Sequence, residues 1–378
     1  MMVNEFKKEI KILEGKKIGK YYMEKEKLSS TEDDEYKEKS LKEELKDLEE
    51  LKKYLNVNNV KFIENFELLD YRDSGGESNV YTILPTFKKQ KVKTLNRKAI
   101  LKIILNKNQK ENKKEYLISY KLKNQNIINN YGYSIIKQNE SSMIIMDDAR
   151  FGNIRNFQRK NLKRTTLPET FICYLAYQIL NGIKYIHQCN VAHMDIKLQN
   201  IVIDEYLTTK LIDFSISIDY KDKKPNDIIE LPCKGTNFYM PKEVLESKKI
   251  KIKDLQKVDL YAFGVILYNL AFGNYPYGLS YGDEDNFEVI LKKIKEEKIE
   301  YNNIKSYSSY FLDFLTKLLE KDINKRISIK EAENHYWIQG AKILLDEKEQ
   351  YYNLEQFASH LLTDYFKLFN DYIHNYKL

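Results

Sequence analysis

The first 65 residues are dominated by charged side chains, with apolar positions at helical intervals. An acidic run after Ser30 is typical of a helix start, because carboxylates are favoured at the positive end of the helix dipole. The apolar stripe beyond it consists of Leu41, Leu45, Leu48, Leu51 and Leu55. We therefore predict a charged helical extension over 1–65 whose stripe docks on the chain's own domain. A coiled-coil dimer through 31–55 is the alternative, and it would need more heptads.

From about residue 66 the pattern changes to short alternating segments, which predict β-strands at 79–84 and 99–105. After residue 166 the apolar spacing becomes helical. Residues 171–187 carry apolar side chains at helical intervals, and 259–272 are almost continuously apolar, as in a buried helix. Strands first and helices second predict an α+β chain with a small β-rich lobe before a larger helical lobe.

The carboxyl-terminal residues 341–378 form a second predicted extension, an amphipathic helix. Its apolar face consists of Leu361, Tyr365, Leu368 and Tyr372, with Phe366, Phe369 and Ile373 alongside. We expect this face to dock on the helical lobe. A partner or dimer contact through 354–376 is the alternative.

Charge and hydropathy narrow the class of protein. The net charge of +7 arises from 63 basic against 56 acidic residues, so the surface is mixed and binding to nucleic acid is not predicted. No apolar stretch approaches the about 20 residues of a membrane span, and the amino terminus lacks a signal-peptide apolar region. We expect a soluble, cytoplasmic protein, with the nucleus left open.

The cysteines indicate a reducing compartment. Cys173, Cys189 and Cys233 have no CxxC spacing and do not form an even disulfide set. Cys173 and Cys189 lie in apolar helical sequence, so we expect both to be buried.

Candidate chemistry is concentrated in the run HMDIKLQN at 193–200 and in Asp213, which opens an Asp-Phe-Ser triplet. Phosphoryl transfer from a nucleotide needs a carboxylate near the attacking hydroxyl and oxygen ligands for magnesium. Asp195 is the candidate base, with Lys197 beside it. Asn200 and Asp213 are candidate Mg²⁺ ligands, because this ion prefers oxygen donors. Together the two motifs resemble the H-R-D-x-K-x-x-N and D-F-G motifs of eukaryotic protein kinases.

The resemblance continues beyond these motifs. Residues 235–243 (GTNFYMPKE) are similar to the end of a kinase activation segment, and 259–264 resemble the family's D-x-x-x-x-G helix. The resemblance also implies a buried ion pair between Glu243 and Arg326. The resemblance covers 66–340, so we expect a two-lobed protein kinase domain there, with an N-lobe at about 66–146 and a C-lobe at about 150–340.

In the first lobe the resemblance assigns the nucleotide-binding lysine to Lys102 and its orienting glutamate to Glu115, although Glu111 lies one turn away. The phosphate loop departs from G-x-G-x-x-G-x-V. Its family positions are occupied by Asp73, Gly75, Ser78 and Val80, with an extra glycine at Gly76. Glycine still lets backbone amides approach phosphate closely.

Residues 143–154 resemble the hinge between the lobes. By this correspondence Met146 is the gatekeeper, and the backbone from Asp147 to Ala149 should hydrogen-bond adenine. Asn153 and Val202 complete the expected nucleotide contacts.

Several positions depart from the family pattern. Ile100 replaces a small alanine above adenine, and Ser119 replaces a hydrophobic residue of the third helix. Met194 replaces the arginine that normally holds an activation-loop phosphate, and Pro232 occupies the usual phosphothreonine position. The chain thus resembles a divergent member, and we hypothesise that its activity does not require phosphorylation of 216–234.

The resemblance implies a Ser/Thr protein kinase that transfers the γ-phosphate of Mg-ATP to a protein hydroxyl, since Lys197 and Thr236 are similar to the Ser/Thr subgroup. A pseudokinase scaffold is the alternative, suggested by the weak phosphate loop, Ile100 and Ser119. A small-molecule kinase shares the H-x-D-x-x-x-x-N loop, but the activation segment argues against it. Asn153 and Gln199 stand where acidic residues select basic substrates in some relatives, so basic specificity is not predicted.

Overall fold

The computed structural model describes residues 63–75, 78–87, 98–105, 108–135, 141–162, 164–231, 235–247, 249–283, 286–301, 306–348 and Leu361. The predicted helix at 31–55, most of the 354–376 segment and the residues Gly76, Pro232 and Cys233 lie outside this description. The described residues belong to two units, a smaller one of 63–121 with Asn129–Asp148 and a larger one of Leu122–Ile128 with all residues from Ala149 onward. No helix in the described ranges is long and apolar enough to cross a membrane.

The smaller unit is an antiparallel sheet with one helix. Its strands are β1 (Ile63–Gly75), β2 (Ser78–Phe87), β3 (Ala99–Ile104), β4 (Asn130–Ile135) and β5 (Ser142–Asp147), in the spatial order β1-β2-β3-β5-β4. Helix α1 (Gln109–Lys121) packs against β4 and β5. Residues such as Ile83 and Leu101 are completely buried in the core of this unit. The predicted strands at 79–84 and 99–105 are confirmed to within a few residues at their ends.

The larger unit is mainly helical. Its helices are α2 (Ile154–Asn156, continued by a π turn at Phe157–Asn161), α3 (Glu169–Gln188), α4 (Lys242–Ser247), α5 (Leu255–Phe272), α6 (Phe287–Glu296), α7 (Ser309–Leu318), α8 (Ile329–Glu333) and α9 (Tyr336–Lys348). Its two-stranded ladders pair β6 (Val191–Ala192) with β9 (Ile218–Asp219), β7 (Ile201–Ile203) with β8 (Thr209–Leu211), and β10 (Ile228–Glu230) with β11 (Lys249–Lys251). The predicted helices at 171–187 and 259–272 and the α+β class are confirmed.

Helix α5 forms the centre of this unit because its sequence is apolar on nearly every side. A Cβ at Gly264 would lie 2.8 Å from the Cβ of Leu318, so only glycine allows α5 and α7 to approach this closely. The helix ends at Gly273, whose φ of 75° lies in the left-handed region that glycine tolerates. These two glycines fix where α5 packs and where it stops.

A buried carboxylate joins three helices of the larger unit. Glu169 at the start of α3 accepts hydrogen bonds from the Ser308 N–H, the Ser308 hydroxyl and the Trp337 indole N–H. Burial raises the pKa of Glu169 even though these bonds oppose the shift. The contacts tie the beginnings of α3, α7 and α9 together.

The cysteine prediction was half wrong. Cys173 is buried within α3, as expected, but Cys189 is exposed. Cys189 lies just beyond the end of α3 at Gln188, beside a turn at Asn190, which has a φ of 59°. Leu361, the one described residue of the 354–376 segment, is completely buried; docking of that segment on the helical lobe stays a prediction.

Candidate active site

One face of the small sheet gathers several of the predicted nucleotide-binding residues. Lys102 in β3 lies opposite Val80 of β2 and Ile144 of β5, while Ile100 lies opposite Thr82 and Met146. Residues directly opposite each other, and those two apart along a strand, share a face of the sheet. Val80, Lys102 and Met146 are therefore on the same face as Ile100, the bulky residue at the alanine position.

Lys102 forms an ion pair with Glu115. Its Nζ lies 2.8 Å from Oε1 of Glu115, and the two side chains are only 13% and 7% exposed. Glu111, the other candidate on α1, is exposed. A pair this buried fixes the position of the ammonium more than it adds net stability. The structure thus selects Glu115 as the partner of Lys102.

The phosphate-loop residues lie at the turn between β1 and β2. Gly75 pairs with Ser78 as the last step of that ladder. Gly76 lies in the two-residue connection, outside the described residues. Backbone pairing therefore brings Gly75 and Ser78 together. Val80 pairs with Asp73 two steps further along the same ladder.

Asp147, at the end of β5, already donates its N–H to the Asn129 carbonyl. Its carboxylate accepts hydrogen bonds from the Asn129 amide and the Tyr131 hydroxyl. Any contact of Asp147 with adenine would therefore use its carbonyl oxygen. Met146 and Asp147 are consecutive residues of one strand, as the hinge correspondence implies.

Sequence reasoning missed Arg72, a β1 residue whose side chain contacts Asp148, the residue that follows β5. Its Nε donates to Oγ1 of Thr82 at 2.9 Å, and its guanidinium contacts both carboxylate oxygens of Asp148, at 2.9 and 3.1 Å. A two-pronged arginine–carboxylate contact holds both partners in a fixed geometry. Since Thr82 pairs with Ile100, Arg72 reaches the same face that carries Lys102.

In the larger unit, Asp259 of α5 anchors the loop that carries Asp195. Its carboxylate accepts hydrogen bonds from the N–H groups of His193 and Met194 at 2.9 and 2.8 Å, and from Nε2 of His187 at 2.8 Å. Burial by itself would raise the pKa of Asp259, but the hydrogen bonds and electrostatic interactions with His187 and His193 together outweigh it, so the pKa is lowered. Asp259 therefore stays ionised and holds the loop backbone in place.

Asp195 is the centre of a polar cluster. Its Oδ2 lies 2.7 Å from Nζ of Lys197 and accepts a 2.8 Å hydrogen bond from Nδ2 of Asn200. Lys197 also donates to the Thr236 hydroxyl at 3.0 Å. Gly235 has a φ of 126°, which L side chains rarely adopt, and a Cβ there would stand 3.9 Å from the Asp195 carboxylate, so the 235–243 segment favours glycine here. Three predicted residues and the activation-segment threonine thus converge in space.

Asn200 and Asp213 are brought to the same end of the β7–β8 hairpin. Asn200 immediately precedes β7, Asp213 follows β8, and the Ile212 N–H donates to the Asn200 carbonyl at 3.0 Å. Asp213 has a φ of 65°, a conformation rare for residues other than glycine and frequent at functional sites. The His193 ring packs against Phe214, with ring centroids 4.9 Å apart.

The side-chain oxygens of Asn200 and Asp213 suit Mg²⁺. The described residues contain no group of three or more His, Cys, Asp or Glu side chains placed to hold a metal. The side-chain NH₂ of Asn200 donates two hydrogen bonds to Asp195, so the side-chain oxygen of Asn200 is the atom that can bind a cation. One amide oxygen and one carboxylate match the way Mg²⁺ is held, through few protein oxygens with phosphate and water as the other ligands.

Asn153 and Val202 are also brought together, through a backbone bridge between them. The Asn153 side chain accepts a hydrogen bond from the Asn156 N–H at 2.9 Å and caps α2. Its side-chain oxygen thus already has a structural role.

The ion pair implied between Glu243 and Arg326 is present. Nη1 and Nη2 of Arg326 donate to the two Glu243 oxygens at 2.7 and 3.3 Å, and the arginine side chain is completely buried. Its other hydrogen bonds go to the carbonyls of Glu320 and Lys257, and its guanidinium lies over the Tyr261 ring. The arginine thus joins α4, α5 and the turn before α8.

Comparisons with known proteins agree with this geometry. The protein kinase domain family matches residues 74–338. The chain is 28% identical over 209 residues to testis-specific serine/threonine-protein kinase 1 of Mus musculus, covering 55% of the chain and 54% of that protein. It is 29% identical over 236 residues to an Aurora kinase of Eremothecium gossypii, covering 62% of the chain and 58% of that protein. The chain therefore spans little more than half the length of these relatives. Because the family match extends over most of its residues, the chain belongs to the protein kinase family.

Proposed function

We propose that this protein is an ATP-dependent serine/threonine protein kinase that transfers the γ-phosphate of Mg-ATP to a hydroxyl of a protein substrate. Members of its family generally use ATP and Mg²⁺ and act on proteins, and the two relatives compared above are named as serine/threonine-protein kinase and Aurora kinase. The observation that carries the proposal is the convergence of Asp195, Lys197, Asn200 and Thr236. We place the kinase domain at 66–340, between the two extensions.

In this proposal Asp195 orients the substrate hydroxyl and accepts its proton. Lys197 neutralises charge on the transferred phosphoryl group, and its bond to Thr236 holds it in position. Lys102, oriented by Glu115, contacts the α- and β-phosphates. The remaining nucleotide contacts are assigned to Gly75, Gly76, Ser78, Val80, Met146, Asp147, Ala149, Asn153 and Val202.

Asn200 and Asp213 would hold Mg²⁺, which supplies positive charge against the phosphate oxygens when bound. The Asn200 amide also donates to the Asp195 carboxylate, so the same side chain orients the proposed base. The chain's own contribution is therefore to fix the oxygen donors and the base relative to each other before substrate arrives.

A pseudokinase scaffold is the second candidate, favoured by the face of the small sheet. Ile100 occupies the position of a small residue there, and the Arg72–Asp148 pair reaches the same face. Magnesium-dependent ATP binding, measured by calorimetry, and labelling of a generic protein substrate with γ-³²P-ATP separate the two candidates. Labelling that depends on Mg²⁺ supports the kinase; nucleotide binding without any labelling supports the scaffold.

Lys102→Met is expected to lower kcat/KM for ATP by about 10²-fold or more, because a positioned ammonium on the phosphates is lost from a low-dielectric site. Glu115→Gln, which keeps the size of the side chain, should lower it less, by about tenfold. Steady-state kinetics with varied ATP measure both effects. The matched control is Glu111→Gln, an exposed carboxylate one turn away on the same helix, and it should change nothing. Equal losses for the Glu111 and Glu115 variants would contradict the assignment.

The segment 216–234 contains only two hydroxyl-bearing residues, Ser217 and Tyr220. Both are buried, at 2% and 8% exposure. The Ser217 hydroxyl donates to the His193 carbonyl, and the Tyr220 hydroxyl donates to the His187 carbonyl. Neither hydroxyl can reach a second kinase's active site without unfolding of this segment.

Apolar packing and a strand ladder hold the same segment. Met194, at the position of the phosphate-binding arginine, packs against a cluster that includes Leu231 and Val258. Strand β10 of the segment pairs with β11 over three residues. Apolar contact thus replaces the charge-assisted contact that an arginine and a phosphate would make.

We therefore expect phosphatase-treated protein to keep its activity, and intact-peptide mass spectrometry to find no phosphate within 216–234. Met194→Arg tests the packing: a charge placed against the cluster should lower activity and lower the melting temperature. Activity that disappears with phosphatase, together with a phosphate mapped to Ser217 or Tyr220, would refute the hypothesis.

A further inference from the structure

The outer face of helix α1 combines exposed apolar side chains with positive charge. Leu117 and Tyr120 are 42% and 44% exposed. Tyr116 packs beside Tyr120, with ring centroids 5.3 Å apart, and stacks on Tyr133 of β4 at 5.5 Å. The aromatic side chains are thus held in place by neighbouring rings, and an apolar surface that is already ordered loses little entropy on binding.

Lysines surround this apolar face. The exposed basic residues of α1 are Lys110, Lys113, Lys114 and Lys121. Glu111 is the one exposed acidic residue of the described helix, since Glu115 is buried against Lys102. We call the surface formed by Leu117, Tyr120 and the four lysines the α1 face. Its chemistry matches a helix with an apolar stripe and an excess of carboxylates.

We propose that the α1 face binds the leucine stripe at 41–55 of the same chain. Residues 31–55 contain ten acidic and six basic residues, opposite in net charge to the α1 face. The stripe is amphipathic at helical spacing, and an amphipathic helix laid on an apolar surface is a common recognition mode. Leu117 and Tyr120 would contact the leucines, and the lysines would contact carboxylates beside them. The proposal does not depend on the catalytic activity proposed above.

The connection between the two segments is long enough. Seven residues, 56–62, separate Leu55 from the first residue of β1. Eight Cα–Cα steps of extended chain span up to about 26 Å. Strand β1 and strand β4 are the two edges of a five-stranded sheet, whose width is about 19 Å at the usual strand spacing. Ile63 pairs with Phe87, five residues along β2 from Thr82, and Thr82 is level with Asn130 of β4 through Ile100 and Met146. This offset adds about 17 Å along the strands, so the diagonal from Ile63 to Asn130 is about 25 Å. The extended connection therefore reaches the start of β4, the strand beside which α1 packs.

The carboxyl-terminal segment is a weaker candidate for this surface. Leu361, which lies in its apolar stripe, is already completely buried. Its acidic residues are also fewer, since 354–376 contains only Glu355, Asp364 and Asp371. The amino-terminal stripe has both the larger negative charge and the direct connection to the smaller unit.

Cross-linking of the full-length protein tests the proposal. A zero-length carbodiimide reagent joins carboxylates to lysine amines in contact. We expect peptide mass spectrometry to find links from Glu43, Asp47 or Glu50 to Lys113, Lys114 or Lys121. An equal mixture of ¹⁴N- and ¹⁵N-labelled protein identifies the chain of origin, and each link should join peptides of one isotope only.

Two exposed substitutions, Leu117→Glu and Tyr120→Glu, are expected to remove these links and to accelerate hydrogen exchange across 41–55 by about tenfold. Because both side chains are exposed, the fold should survive, and an unchanged melting temperature will verify this. The matched control is Tyr206→Glu, a tyrosine of the larger unit that is 58% exposed; it should leave both measurements at their wild-type values.

A charge exchange provides the second variant set. Lys113→Glu combined with Lys114→Glu should accelerate exchange across 41–55, and adding Glu43→Lys with Glu50→Lys should slow it again. Links of mixed isotope would assign the α1 face to a second copy, and links from 354–376 would assign it to the carboxyl-terminal segment; either result overturns the proposal. So would the absence of links together with exchange rates that no variant changes.

Discussion

Asp195→Asn is expected to abolish phosphoryl transfer while nucleotide affinity and melting temperature stay close to those of the unaltered protein. The amide keeps the size of the side chain, but it cannot accept the proton of the substrate hydroxyl. Loss of a positioned general base lowers kcat by about 10²–10⁴-fold. The fold should persist, because the loop backbone is held by Asp259 and not by Asp195. A radiometric assay on a generic protein substrate measures the activity, and calorimetry measures the nucleotide affinity.

The control for this variant is Asp219→Asn, in an exposed aspartate of β9 in the same unit. It should leave kcat unchanged. If Asp195→Asn retains wild-type turnover after repeated purification, Asp195 is not the base. If both variants lose activity together with their melting transition, the loss reports unfolding and the Asp195 role must be tested with Asp195→Ser.

Arg326→Ala is expected to lower the free energy of unfolding by about 3–5 kcal/mol, because it leaves Glu243 without its main cation and opens a cavity beside Tyr261. For a chain of this size, that loss corresponds to a fall in melting temperature of about 5 °C. Differential scanning calorimetry or circular dichroism measures the shift. The expected effect is large because the arginine side chain is fully buried and makes bonds to three different segments.

The comparison variant is Lys317→Ala, which removes an exposed pair with Asp313 at 2.7 Å. Pairs of this kind contribute at most about 1 kcal/mol, since water and salt screen them. Glu243→Gln should be intermediate, because it removes the charge but keeps an acceptor. Similar melting temperatures for the Arg326 and Lys317 variants would show that the buried pair contributes nothing to stability.

The two ion pairs implied by the kinase resemblance show which contacts could be predicted from the sequence. Lys102 and Glu115 lie 13 residues apart, and Glu243 and Arg326 lie 83 apart, yet both pairs were expected and both are formed. Their residues belong to motifs with fixed spacing and order, so matching the motif is enough to predict the contact. The helices at 171–187 and 259–272 could also be predicted, because apolar periodicity defines the first and a long continuous apolar run defines the second.

The contacts of Arg72, by contrast, could not be predicted from the sequence. Its contact with Thr82 and Asp148 depends on the register of β1, and β1 has irregularities between Leu68 and Asp70 and again between Tyr71 and Asp73. Each irregularity interrupts the alternation of faces, so the direction of a side chain cannot be counted from its neighbours. Cys189 is a similar case, because its exposure depends on the turn at Asn190 just beyond the end of the helix.

The two buried hydroxyls beside Met194 have a consequence for the place of this protein in a signalling network. Control by phosphorylation needs a hydroxyl that a second kinase can phosphorylate and a phosphatase can release again, and the segment from 216 to 234 offers no accessible one. With kinase activity as proposed, this segment would not pass on the activity of another kinase through a phosphate. Control of the protein's output would then act outside 216–234, on other parts of the chain or on the amount of the protein.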